Sequence, residues 1–411
     1  MKVPFSPPRI DEKIINEVVD TLRSGWITTG PKTKLFEKKI KEYIHCSEVL
    51  CVNSATAGLE LMLRWFGIKE GDEVIVPAYT YCATANVVMH CGAKPVMVDV
   101  GKDFNIDVRA IEEAITSKTK VIIPVDLAGL PCDYNEINEI INRKEIRNKF
   151  NPQTKEQKQL GRILVMSDSA HSFGAEYNNT KVGKVTDVTV FSFHAVKNLT
   201  TAEGGAICFN LPKPFNNEEL YKYLSIKILH GQNKDALSKL KAGGWKYDVI
   251  EAGYKCNMTD IQASIGLVEI ERYEEDHLPY RRNILEKYTR AFSKFNWAEM
   301  PTYETSIKKS SYHIFTLRIK NITEQQRDQI IEEITKQQIA VNVHFIPLPL
   351  LSFYKNLGYE IKNYPIAYDN YSREITLPVY FGLKDEQIRW IVDAVVKSVS
   401  KVLEITSDLA L

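Results

Sequence analysis

The chain has 411 residues, 44% of them hydrophobic and 26% charged, close to the average for soluble globular proteins. Lys+Arg number 53 and Asp+Glu 52, a formal net charge of +1. These values exclude a disordered, collagen-like or coiled-coil chain, and no global field advertises nucleic acid or an anionic membrane as partner. Two domains are the simplest organisation for this length.

The stretch from Met1 to Lys13 lacks an apolar core, so no signal peptide is expected. No apolar run nears the roughly 20 residues of a membrane helix. Cysteines at 46, 51, 82, 91, 132, 208 and 256 form no metal-binding spacing. That predicts reduced, buried thiols in a cytoplasmic protein and no metal site.

In chain order, Gly25-Trp-Ile-Thr-Thr-Gly30-Pro31-Lys32 has the look of a P-loop, but Pro31 stands where the lysine belongs and a helix precedes it. A P-loop needs a strand there, so it is dismissed. Val49–Val52 reads as a strand that breaks at Asn53-Ser54-Ala55-Thr56 into an amphipathic helix carrying Leu59, Met62, Leu63 and Phe66. Buried strands follow at 73–77, 95–99, 121–125, 163–168, 188–192 and 205–209, with helical patterns between the earlier ones. Short strands separated by helices predict a mostly parallel sheet covered on both faces. No GxGxxG follows any of them, which removes a simple Rossmann dehydrogenase. The polar stretch from Arg143 to Arg162 reads as a solvated surface insertion. Ile261, Ile265 and Val268 mark one face of a long helix continuing through Tyr280-Arg-Arg282. From about 276 the pattern mixes helices with strands at His313–Arg318 and Ala340–His344, as in a smaller α+β domain.

Chemistry concentrates where strands end. Ser192-Phe-His194-Ala-Val-Lys197 directly follows a strand, and Gly204-Gly205 precede the next. Lysine is rarely buried unless paired or chemically engaged, and an imine with an aldehyde would relieve its ammonium of burial. Asp168 ends another buried strand, at the sheet edge where α/β proteins bind ligands. A Schiff-base lysine with an acid for a ring nitrogen is what pyridoxal phosphate (PLP) requires. Taken alone, Asp168 reads as a helix N-cap, Asn53–Thr56 as an ordinary capping sequence, and Tyr81 as core. Beside Lys197, Asp168 becomes a ring-nitrogen partner, Asn53–Thr56 a phosphate site at a helix N-terminus, and Tyr81 a ring-stacking residue.

With these motifs in order, the chain resembles the DegT/DnrJ/EryC1/StrS family of PLP-dependent nucleotide-sugar aminotransferases over essentially its whole length. The landmarks are Ser24-Gly-Trp-Ile-Thr-Thr-Gly-Pro31, Asn53-Ser-Ala-Thr56, Gly71-Asp-Glu-Val-Ile-Val-Pro77, Asp168-Ser-Ala-His171, Ser192-Phe-His-Ala-Val-Lys197, Gly253-Tyr-Lys-Cys-Asn257 and Leu377-Pro378. The resemblance implies a fold-type I, aspartate aminotransferase-like α/β architecture. A large PLP-binding domain with an N-terminal arm would span 1–275, and a smaller C-terminal α+β domain 276–411. It further implies that Lys197 forms the Schiff base and shuttles the proton, with Asp168 on the pyridine nitrogen. His171 would lie beside the ring hydroxyl and Tyr81 on the ring face. Ala55, Thr56 and Ser192 would hold the phosphate, helped by Lys255 or Asn257 of a second subunit in a homodimer. Trp26, Ile27, Thr28 and Thr29, with His344, would meet the sugar nucleotide.

The same resemblance implies transfer of an amino group from L-glutamate to C4 of a UDP-linked 4-keto-6-deoxy-hexosamine, for a bacterial surface polysaccharide. Alternatives are a C3 keto-sugar enzyme, a keto-acid aminotransferase clamping carboxylates with Arg373, or a PLP-binding regulator without turnover. Relatives with His in place of the lysine are dehydratases, a branch that Lys197 disfavours. Two departures stand out: Lys255-Cys-Asn257 where many relatives read Asn-Tyr-Arg, and Pro124-Val-Asp126 where many read Pro-Val-His.

Overall fold

The computed structural model describes residues 2–233 and 246–404. Its central sheet has seven strands: β1 (Glu48–Val52), β2 (Glu73–Pro77), β3 (Lys94–Val98), β4 (Thr119–Ile122), β5 (Leu164–Asp168), β6 (Val188–Ser192) and β7 (Gly205–Phe209). They lie in the order β1-β7-β6-β5-β4-β2-β3. Pairing is parallel from β3 through β6, and β7 alone runs opposite to its neighbours β6 and β1. This is the mostly parallel α/β sheet that the alternating pattern predicts. Its strands are buried almost throughout, which explains their continuous apolar runs.

Register brings the site motifs into line. Gly205 pairs with Val52 on one side and Ser192 on the other, while Asp168 pairs with Val190. The ends of β1, β5 and β6 and the start of β7 therefore share one edge. A second, antiparallel sheet of three strands (Ala298–Glu299, Phe315–Ile319, Glu374–Leu377) forms the C-terminal part. One hydrophobic cluster runs continuously from Phe36 and Phe191 at the central sheet to Phe315 and Ile391 at the C-terminal one. The N-terminal arm joins the C-terminal part through paired backbone bonds of Val3 with Gln338 and Ala340.

Two expectations need correction and a third is refined. Ala340–His344 is not a strand: after one bridge from Asn342 to Thr376, the His344 N–H goes to the Glu374 carboxylate and its carbonyl to the Tyr79 hydroxyl. Side chains satisfy that backbone, so no ladder forms. The single long helix is two, Asp260–Glu271 and Leu278–Phe292, joined by a wide turn at Tyr273–His277, with Pro279 in the first turn of the second. Its buried face is Ala263, Gly266, Leu267 and Ile270, while Ile261, Ile265 and Val268 are half-buried. Finally, 143–162 lies at the surface with half of its residues exposed, as expected, but it is anchored by four buried ones, Ile146, Phe150, Gln157 and Leu160. It forms helices Lys144–Lys149 and Lys155–Leu160, and fully buried Gln157 donates from Nε2 to the Phe66 carbonyl at 2.9 Å.

The cysteines behave as expected. All seven are free thiols, five of them buried. No helix among the described residues is long and apolar enough to cross a membrane.

Candidate active site

The shared edge opens into a cleft of about 460 Å³. Ala55, Thr56, Tyr81, Asp168, His171, Ser192, Lys197 and His344 all line it, together with Phe5 and Ser6 of the N-terminal arm. Sequence positions as far apart as Phe5 and His344 thus meet in one cleft.

One end of the cleft is built for an anion. Ser54 caps the helix Ala55–Trp65, its Oγ accepting from the Ala57 N–H at 3.1 Å. The capping reading therefore holds, and the same helix N-terminus faces the cleft with its remaining N–H groups. A Cβ on Gly205 would lie 2.6 Å from the Ala55 nitrogen. Only glycine lets β7 pass so near the helix start.

The other side is built for a ring. Asp168 ends β5, buried, with Oδ2 accepting from the Thr84 hydroxyl at 2.8 Å and Oδ1 from the Ala170 N–H at 3.3 Å. Burial raises its pKa, and these bonds together with the charge of Lys197 oppose the rise. No helix follows Asp168, so the N-cap alternative fails. Tyr81 is 59% exposed, which removes its core alternative; its ring lies 5.7 Å from that of Phe345.

Lys197 follows β6, its amide N–H bonded to the His194 carbonyl. Burial pushes its ammonium down to about 8, with Asp168 pulling the other way. His171 is buried, and its Nδ1 has no hydrogen-bond partner. Burial, then the charge of Lys197, holds this imidazole well below its ordinary pKa and hence neutral. A buried ring nitrogen without a partner, a low-pKa amine and an anion cradle in one cleft fit PLP in its hydroxyl, aldehyde and phosphate respectively.

Several groups at the site had escaped the sequence reading. Thr84 fixes Asp168 and bonds Thr80 at 2.9 Å, an i, i+4 pair at the start of the helix Ala83–His90. His313 lies with its ring centroid 4.2 Å from that of His171. Asn198 donates to the Ser311 carbonyl, leaving its Oδ1 for Nδ1 of His313 at 2.7 Å. Asp126, the departure from the Pro-Val-His pattern, is a fully buried node. It accepts from the Cys132 N–H (2.9 Å) and the hydroxyls of Tyr134 (2.5 Å), Ser169 (3.1 Å) and Ser172 (2.7 Å). Two of those donors, Ser169 and Ser172, belong to the turn that carries Asp168 and His171.

Trp26, Ile27, Thr28, Thr29, Lys255 and Asn257 do not line the cleft of their own chain. Four of them, Trp26, Thr29, Lys255 and Asn257, form a cluster beside it. Lys255 Nζ donates to Asn257 Oδ1 and Asn257 Nδ2 to Thr29 Oγ1, both at 2.6 Å, while the Trp26 indole N–H donates to the Thr29 carbonyl at 3.2 Å. Asp260 takes the N–H groups of Gly30, Lys32 and Thr33, so a carboxylate of this chain occupies the donors of the apparent P-loop. Arg373 is held by Asp369 and Glu299, and no arginine among the described residues lines the cleft. This removes the support for a keto-acid clamp at Arg373.

The model of the DegT/DnrJ/EryC1/StrS aminotransferase family matches residues 8–148 and 153–396. Spr1654 of Streptococcus pneumoniae, provisionally described as a sugar aminotransferase, is 47% identical in its PMP-form structure. That structure superposes with a TM-score of 0.93, covering 97% of this chain and 100% of the other. Its PLP form gives a TM-score of 0.92 at 46% identity, over 98% and 100%. The spore coat polysaccharide biosynthesis protein SpsC of Bacillus subtilis is 33% identical over 398 residues, 96% of each chain. Helicobacter pylori PseC, an aminotransferase involved in the biosynthesis of pseudoaminic acid, is 27% identical with a TM-score of 0.84, over 98% and 100%.

Proposed function

Since the chain belongs to the DegT/DnrJ/EryC1/StrS aminotransferase family and is a PLP-dependent aminotransferase, we propose that it transfers the amino group of L-glutamate to C4 of a UDP-linked 4-keto-6-deoxy-hexosamine. The product serves a bacterial surface polysaccharide, and the enzyme works in the cytoplasm as a homodimer. The observation that carries the reading is Lys197, an amine pushed down to about 8 at the end of β6, close enough to buried Asp168 for the two charges to interact. The sugar class is supported by the names of SpsC and PseC. The choice of C4 rests on the likeness of Trp26–Thr29 to the corresponding segment of relatives that make 4-amino sugars.

Bound in the cleft, PLP supplies an electron sink for the pair left when the donor loses its α-proton. The chain supplies the rest. Asp168 would hold the ring nitrogen, His171 the ring hydroxyl, Tyr81 one ring face, and Ala55, Thr56 and Ser192 the phosphate. Lys197 would anchor the cofactor and, once released, take the α-proton at Nζ and deliver it to the cofactor's aldehyde-derived carbon. Such positioned proton transfers contribute roughly 10²–10⁴-fold.

The test is optical. The purified protein should be yellow and should bleach with L-glutamate, then recover its colour when UDP-4-keto-6-deoxy-N-acetylglucosamine is added. Lys197→Ala should fold and fail to turn over. A protein that stays colourless after PLP is supplied overturns the assignment, whereas recovery only with a 3-keto sugar moves it from C4 to C3.

A further inference from the structure

A buried carboxylate outside these roles directs its hydrogen bonds to the cleft. Glu374 opens the strand Glu374–Leu377 and is fully buried. Its Oε2 accepts the backbone N–H of His344 at 3.1 Å, and its Oε1 accepts from the Thr376 hydroxyl at 2.5 Å. Thr376 Oγ1 in turn lies 3.0 Å from Nδ1 of His344. Tyr79 donates to the His344 carbonyl at 2.7 Å, and the imidazole stacks on Phe5 with centroids 5.5 Å apart. The ring is gripped on its Nδ1 side, and Nε2 is the nitrogen left for a ligand.

We propose that Glu374 and Thr376 are positioning residues that decide whether His344 meets the substrate at Nε2 as a hydrogen-bond acceptor or as a donor. The inference rests on reading this cleft as the aminotransferase site. A hydroxyl carries one hydrogen, so Thr376 cannot donate to both neighbours. With Glu374 ionised, Thr376 donates to the carboxylate, Nδ1–H donates to Thr376, and Nε2 presents a lone pair. With Glu374 protonated, its O–H donates to Thr376, Thr376 donates to Nδ1, and Nε2 presents a hydrogen. Between the two states a proton enters at Nε2, the Nδ1 proton passes to Thr376, and the Thr376 proton passes to Glu374. One proton is gained overall and the imidazole stays neutral.

That neutrality agrees with its surroundings. Burial, then the charge of Lys197, pushes His344 down to about 4, and neutral His171 and His313 complete the titratable groups around it. Around Glu374 stand Arg318, Arg327 and the Tyr79 hydroxyl. Burial raises Glu374 to about 8, opposed by Thr376, the His344 N–H and the two arginines, so the exchange falls near working pH.

The two states suit two substrate chemistries. A lone pair at Nε2 accepts from a sugar hydroxyl, whereas Nε2–H donates to the carboxylate of an amino acid. An aminotransferase holds an amino acid and a keto sugar in turn in one space, and a neutral ring that can change its hydrogen-bond sense serves both.

The test uses the PLP-loaded enzyme with ¹⁵N-labelled histidine, its His344 signals identified by their loss in His344→Asn. Side-chain ¹⁵N spectra should show Nε2–H below about pH 8 and Nδ1–H above it. Glu374→Gln replaces the carboxyl O–H with an amide N–H and should hold the Nε2–H form at every pH. Its L-glutamate half-reaction should continue, while KM for UDP-4-keto-6-deoxy-N-acetylglucosamine should rise by about tenfold. Should Glu374→Gln not fold, Thr376→Val must abolish the exchange and Thr376→Ser restore it. No exchange in the wild type between about pH 6 and 10, or the same exchange in the Glu374 or Thr376→Val variant, overturns the proposal. Failure of L-glutamate to bleach the wild type would sink the aminotransferase reading instead, because the spectra report the relay independently.

Discussion

Lys197 has two opposing neighbours, and the balance between them can be read from its chemistry. Burial disfavours the ammonium and brings it down to about 8, while the negative charge of Asp168 favours it. An amine attacks an aldehyde only when uncharged. Capture of PLP by the apo-protein should therefore speed up with pH and level off just above 8, whereas an ordinary lysine would keep gaining until about 10.4. Asp168→Asn removes the charge that holds the ammonium on, so its midpoint should move to lower pH. Stopped-flow absorbance across a pH series measures both. A wild-type midpoint near 10 would make Lys197 an ordinary solvated amine, and a midpoint that rises in the Asp168 variant would reverse the sign argued here.

At the scale of an element, the turn after β5 carries the two groups proposed to meet the cofactor, Asp168 and His171, and Asp126 holds it through Ser169 and Ser172. Asp126→Ala would leave the Cys132 N–H and the hydroxyls of Tyr134 and Ser172 without their acceptor, while Ser169 keeps Ser167 Oγ at 3.2 Å. Each buried polar group so stranded costs about 1–3 kcal/mol, and partial relaxation brings the expected loss to roughly 3–5 kcal/mol. Urea unfolding of the apo-protein would show it, and cofactor affinity should fall with it. Unchanged stability would mean the turn holds itself. The sequence made Asp126 visible only as a departure from the usual His, and its role came from the fold. The strands, Gly205, Asp168 and Lys197 were legible because strand ends and spacings are local signals. Thr84 and Asn198 were not, because their partners lie 84 and 115 residues away and meet them only once the chain is folded. The long helix was misjudged for a related reason. Periodicity continues across Tyr273–His277, but Pro279 restarts the helix, and packing against Phe36 selects the Gly266 face instead of the Ile265 face.

For the whole molecule, the question is where the second cluster of proposed site residues would do its work. Lys255, Asn257 and Thr29 are bonded to one another and do not line their own chain's cleft, although Asn257 bridges Val52 and Cys256 accepts the Asn53 N–H just before the Ala55 helix. They are bracketed in sequence by exposed apolar residues: Leu22 (53%) and Ile27 (50%) before Thr29, Val249 (51%) and Ile250 (52%) before Lys255. Exposed apolar groups beside an otherwise purposeless polar cluster are what a subunit interface leaves on a lone chain. In a two-fold dimer the contact is reciprocal, so each cleft would receive its neighbour's cluster. Mixing defective subunits tests this. Lys197→Ala and the double variant Lys255→Ala, Asn257→Ala should each be nearly inactive. Unfolded and refolded together in equal amounts, half the dimers would be hybrids. Each hybrid would hold one site with both defects and one with neither, restoring roughly a quarter of wild-type activity. If Lys255 and Asn257 serve their own chain's site, no hybrid contains an intact site, and the mixture should be no more active than the average of its two parents.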